Sequence, residues 1–167
     1  MWKNRLRPRM AVPTVADIDL GVLTQQGIRG ILLDLDNTLV PWNGWEVSAA
    51  TAQWVKEARR RGFRLAILSN SVGRRAHAVA RRLGIFALST AWKPLPSGFR
   101  KALAQLGTGP AETAVVGDQL FTDVAGGNAA GLFTIWVQPL SPREMPHTRF
   151  LRWAERRLSQ EWGLDVQ

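Results

Sequence analysis

Apolar residues along this chain fall into two alternating patterns. Short runs bounded by glycine or polar residues read as strands at 30–35, 64–68, 85–88, 113–116 and 132–137. Between them, apolar positions recur at helical spacing. Thr51, Val55 and Ala58 stripe the segment 48–61, and Ala76, Val79 and Leu83 stripe 74–83. Phe99, Leu103 and Leu106 stripe a helix that opens at Pro96, and 120–130 reads as the last of the set. Gly62, Gly84 and Gly107 stand where C-terminal caps belong. Strands alternating with helices of this length predict βαβ units in a mainly parallel sheet, hence an α/β fold. A polar, basic lead-in with Pro8 and Pro13 occupies 1–27, and 143–167 reads as a basic C-terminal helix. With no repeat or low-complexity tract, the 167 residues are read as one domain, 1–167, long enough for a proper core and short for two domains.

One predicted strand is chemically odd. Its apolar run Ile31-Leu32-Leu33 continues into Asp34-Leu35-Asp36-Asn37-Thr38. Carboxylates at i and i+2 of a strand point to the same side. In an apolar setting they need hydrogen bonds, a cation or a shifted pKa. A divalent metal at the strand's end is the simplest remedy, which points to phosphoryl transfer. In open α/β sheets, ligands bind beyond the carboxyl ends of the strands. Those ends carry Asp34 and Asp36, then Ser69-Asn70, then Lys93, then Gly117-Asp118 with Asp123 beyond. Taken singly, each is equally a turn, a cap or a solvated lysine. Taken in order, they make a phosphate site.

The chain resembles the haloacid dehalogenase superfamily on DLDNT (34–38), LSN with Ser69, WKP with Lys93 and GDQLFTD with Asp118 and Asp123. The longer stretches LLDLDNTLVPW, AWKPLPSGF, VVGDQLFTDVAGGNAAGL and RWAERRL resemble the YqeG-like bacterial phosphatases of subfamily IIIA, related to mitochondrial-type phosphatidylglycerophosphate phosphatases. That resemblance implies a three-layer α/β/α Rossmann-like fold and a phosphatase working through an aspartyl-phosphate. It makes Asp34 the nucleophile and Asp36 the general acid and base. It implies Mg²⁺ held by the Asp34 carboxylate, the Asp36 backbone carbonyl and Asp118, with Asp123 in support. Ser69 and the Asn70 N–H would grip phosphoryl oxygens, Lys93 would neutralise their charge, and Thr38 would order the loop. Such enzymes that act on small metabolites usually carry a cap domain. Here the interval from Asp36 to Ser69 is used up by one helix and one strand, since a βαβ unit needs ~30 residues, and the next interval is shorter. The site is therefore expected to be capless and open, suited to phosphate borne on something large.

Charge adds a partner class. Against 13 acidic residues stand 22 Lys and Arg, a net +9, which attracts polyanions. The resemblance places phosphatidylglycerophosphate first, ahead of nucleic-acid ends or phosphoproteins, with a non-catalytic RNA- or ribosome-binding role as the rival from another class. No run approaches the ~20 apolar residues of a membrane span, and Asp17 and Asp19 interrupt any signal core. A cytoplasmic protein, in contact with the inner face of a membrane, is the expectation. The absence of cysteine suits a reducing compartment. Trp42 and Trp45 either line the entrance and touch lipid or pack the loop after Asp34. Leu151, Ala154, Leu158 and Trp162 share a helical face away from Arg152, Arg156 and Arg157, fit for a membrane or, in the favoured reading, for docking on the core. Trp2 and Leu6 form another candidate anchor, and His77 reads as a solvated residue.

Overall fold

The computed structural model describes residues 3–142 and 149–163. Within them, β1 Met10–Val12, β2 Gly30–Leu33, β3 Arg64–Leu68, β4 Phe86–Leu88, β5 Thr113–Gly117 and β6 Phe133–Val137 form one sheet. Its order is β1-β6-β5-β2-β3-β4, with every pairing parallel. The helices are α1 Leu20–Gln25, α2 Ala49–Arg60, α3 Arg75–Leu83, α4 Pro96–Leu106, α5 Ala125–Ala129 and α6 Arg149–Glu161. The strands are apolar at successive positions because both faces of the sheet are covered. Ile31, Leu33, Ile67 and Val116 pack with α1, α2 and α3 on one face. Leu32, Ala66, Leu68 and Val115 pack with Phe99, Leu103 and Leu106 of α4 on the other. The result is the three-layer α/β/α arrangement.

Local chemistry sets the helix limits. The Ser48 hydroxyl accepts from the Thr51 N–H (3.2 Å) to start α2, while Gly84 and Gly107 take left-handed φ of 66° and 65° to end α3 and α4. The β2–β3 connection carries α2 and the β4–β5 connection carries α4, with no inserted domain among the described residues.

Four sequence expectations change. The first strand stops at Leu33, so Asp34 and Asp36 lie in the loop beyond it rather than on a pleat, although the Asp34 N–H still reaches the Val116 carbonyl (2.9 Å). The lead-in is built in: β1 pairs with β6 and covers what would be an open edge. Leu6 is buried with Leu120, Val124, Trp136 and Leu158, so it is no membrane anchor, and Trp2 lies outside the described residues. The segment 120–130 is not one regular helix. It opens with a wide π-helical turn, Leu120–Val124, before α5. The favoured docking of α6 agrees with the buried Glu155, Leu158 and Ser159; the side chains of Leu151, Arg152 and Arg156 lie outside the described residues. His77 is exposed, as read. No helix among the described residues is long and apolar enough to cross a membrane.

Candidate active site

The chain runs outward from β2 to β3 and β4, then returns to β5 on β2's other side. That reversal opens a crevice between the ends of β2 and β5. Asp34 leaves the first of these strands and Asp118 the second. Both are buried, Asp118 completely.

Lys93, on the loop after β4, reaches into this crevice with only 6% of its surface exposed. Its Nζ donates to Asp34 Oδ1 and to Asp123 Oδ1, each at 2.6 Å. Asn70 fixes the lysine's backbone: its Nδ2 donates to the Lys93 carbonyl (2.9 Å) and its Oδ1 accepts from the Lys93 N–H (2.7 Å). Asp123 sits in the π-helical turn, where Gln119 N–H donates to its Oδ2 (3.2 Å). A regular helix would present this side chain differently; π-helical turns are frequent at functional sites. Gly117 makes room, since a Cβ there would collide with the Asp123 carboxylate. Thr38 Oγ1 donates to Asp118 Oδ1 (3.3 Å), and Trp136 Nε1 donates to the Asp118 carbonyl (2.9 Å). Ser69 is buried, its hydroxyl accepting from Ser71 N–H (3.1 Å).

Carboxylate oxygens of Asp34, Asp118 and Asp123 all lie within 4.8 Å of one another. Three buried carboxylates against one ammonium leave excess negative charge. Burial pushes the Asp34 carboxyl up to about 7, with Asp123 and Asp36 adding to the rise and Lys93 opposing it. Burial likewise raises Asp123, reinforced by Asp118. For Lys93, burial disfavours the ammonium, but Asp123 and Asp34 outweigh it and its pKa rises. An all-oxygen, anionic donor set of this kind fits a hard divalent cation such as Mg²⁺.

Asp36 stands apart from this acidic cluster. Arg75 Nη2 donates to its Oδ2 (2.5 Å), Asn43 N–H donates to its Oδ1 (3.2 Å), and Arg75 Nη1 donates to the Gly44 carbonyl (3.1 Å). Sequence reasoning missed Arg75 because it read as the opening of a helix; its place just past the β3 end was the available signal. Asn37 turns the intervening loop with φ of 60° and accepts from the N–H groups of Trp42 and Ser141 (3.2 Å each) and the Ser141 hydroxyl (2.7 Å). Trp42 is half-buried in that loop and Trp45 is exposed.

Residues 44–131 match the model of a haloacid dehalogenase-like hydrolase family. Over 158 residues the chain is 35% identical to "Probable phosphatase YqeG" of Bacillus subtilis, covering 95% of this chain and 92% of that one. It is 30% identical over 164 residues to the chloroplastic phosphatidylglycerophosphate phosphatase 1 of Chlamydomonas reinhardtii, covering 93% of this chain but only 60% of that relative. Among solved structures, the cobalt-bound deoxy-D-mannose-octulosonate 8-phosphate phosphatase of Haemophilus influenzae shares the fold at a TM-score of 0.56 with 15% identity, covering 83% and 91% of the two chains. A protein from Listeria monocytogenes serotype 4b does so at 0.57 with 22% identity, covering 71% and 85%.

Proposed function

Because this chain belongs to the haloacid dehalogenase-like hydrolases and is a phosphatase of that family, we propose that it hydrolyses phosphatidylglycerophosphate to phosphatidylglycerol, with Mg²⁺, from the cytoplasmic side of a membrane. The observation that carries the chemistry is Lys93 held between Asp34 and Asp123 at the crevice that Asp118 shares. The substrate is supported by two plant and algal relatives named for that activity, by the basic charge, and by the lack of a cap among the described residues.

In this reading a carboxylate oxygen of Asp34 attacks phosphorus, and the P–O bond to the lipid alkoxide breaks. Asp36 gives its proton to the departing oxygen. It then takes a proton from the water that attacks the aspartyl-phosphate, releasing inorganic phosphate and restoring Asp34. Ser69 and the Asn70 N–H hold phosphoryl oxygens, Lys93 offsets their charge, and Thr38 steadies the loop and Asp118. The Asp34 carboxylate, the Asp36 backbone carbonyl and Asp118 would hold the Mg²⁺, with Asp123 supporting through Lys93. When bound, the cation suppresses repulsion between anionic nucleophile and anionic phosphate.

The test is phosphate release from vesicles containing phosphatidylglycerophosphate in Mg²⁺, beside a 5′-phosphorylated oligonucleotide. Vesicle substrate is expected to be preferred, and Asp34→Asn to abolish release from both while leaving the fold intact. Preference for the oligonucleotide would overturn the substrate assignment.

A further inference from the structure

Among the described residues, six large apolar side chains are exposed: Trp45, Val72, Phe86, Trp92, Leu95 and Leu140. Five of them follow strand ends. Trp45 lies beyond β2, Val72 beyond β3, Trp92 and Leu95 beyond β4, and Leu140 beyond β6. In a parallel sheet all these ends lie along one edge, so the five follow the edge on which the crevice opens. Val72 is 84% exposed and Trp92 67%. The turns that present them are tied down, with Thr90 N–H on the Ser71 carbonyl (3.2 Å), Leu95 N–H on Trp92 (2.8 Å) and Leu140 N–H on Asn37 (3.0 Å). Charge accompanies them. Exposed Arg74 follows Val72, and exposed Lys101 lines a small cleft with Trp92. Among the described residues of these loops, the exposed carboxylate is Glu46.

The geometry points to this rim as a docking face for an anionic lipid bilayer, with the five apolar side chains entering the headgroup region and Arg74 and Lys101 meeting lipid phosphates. It deepens, and rests on, the phosphatase reading given above. Apolar side chains ringed by cations match the chemistry of an anionic interface, where buried apolar area and headgroup attraction add. A bilayer that carries the substrate would cover the rim and present the phosphate to the crevice in one contact.

The experiment compares three full-length proteins: wild type, Val72→Ser with Leu95→Ser on the rim, and Phe86→Ser at the opposite end of the sheet. Each is sedimented with phosphatidylcholine vesicles, with and without phosphatidylglycerol, and assayed for p-nitrophenyl phosphate hydrolysis in Mg²⁺. Wild type and Phe86→Ser are expected to bind the phosphatidylglycerol vesicles alike, and the rim variant roughly tenfold more weakly, with hydrolysis of the small ester equal in all three. The proposal is overturned if wild type ignores anionic vesicles, if Phe86→Ser weakens binding as much as the rim variant, or if an oligonucleotide outcompetes the vesicles. Rim-dependent binding without hydrolysis of any phosphate ester would uphold the docking face and sink the phosphatase reading instead.

Discussion

Lys93 is the residue on which the others converge, since its ammonium separates two buried carboxylates. Lys93→Ala leaves Asp34 facing Asp123 with no intervening cation, and breaking a buried ion pair in this way costs about 3–5 kcal/mol. Urea unfolding of the metal-free protein should show that loss, and phosphatase turnover should vanish. The raised pKa of Asp34 gives a second expectation. With a folded value of about 7 against an ordinary 3.8, the folded chain keeps a proton that the unfolded chain releases between those values. This group's contribution to stability is therefore full below about pH 4 and declines as pH rises towards 7. Melting curves in chelator, from about pH 5 to about pH 8, should fall more steeply for wild type than for Asp34→Asn. Arg75 sets where the Asp36 carboxylate lies. Arg75→Gln should lower kcat roughly a hundredfold on an alkyl phosphate, within the range of general acid–base contributions. It should lower it far less on p-nitrophenyl phosphate, whose leaving group needs no proton.

Among elements, the π-helical turn and the N-terminal strand matter most. Gly117→Ala drives a methyl group into the space of the Asp123 carboxylate. It should weaken the bridge to Lys93 and cut turnover at least tenfold with the sheet preserved, a pairing of effects that kinetics and circular dichroism would reveal. Leu6→Ala empties a site shared with Leu120, Trp136 and Leu158 and should cost about 2 kcal/mol, measurable as a shift of the urea midpoint. The long, strongly periodic elements were legible in the sequence: 64–68 is a strand at its full predicted length, α3 and α4 end one residue before their glycines, and α2 ends two residues before Gly62. What was not legible had weak local signals. Met10–Val12 becomes a strand because β6 offers it an edge, not because three residues prefer one. The turn at Leu120–Val124 is widened by what Asp123 must reach, a demand from 30 residues away that periodicity does not encode. The acid, serine and lysine positions were readable because strand ends are where an α/β sheet places chemistry. Arg75 and the latch between Asn70 and Lys93 depend on tertiary distances.

For the molecule as a whole, the three buried carboxylates against one ammonium leave a negative excess that a divalent ion would offset. Adding Mg²⁺ to metal-free wild type should raise Tm through preferential binding to the folded state, and Asp118→Asn should abolish most of the rise, as differential scanning fluorimetry would show. A lanthanide or Ca²⁺ that raises Tm equally without supporting turnover would separate charge compensation from chemistry.

The order in which the pieces appear has its own consequence. Asp34 follows the second strand of the chain directly, its partners Lys93, Asp118 and Asp123 belong to segments synthesised far later, and β1 finds its neighbour only when residues 133–137 exist. At translation speeds of ~5–20 residues per second, the nascent polypeptide spends several seconds with Asp34 emerged and Asp118 not yet made. Intermediates of that length are thus unable to assemble the acidic cluster, and hydrolytic competence waits on β5 and the turn that follows it.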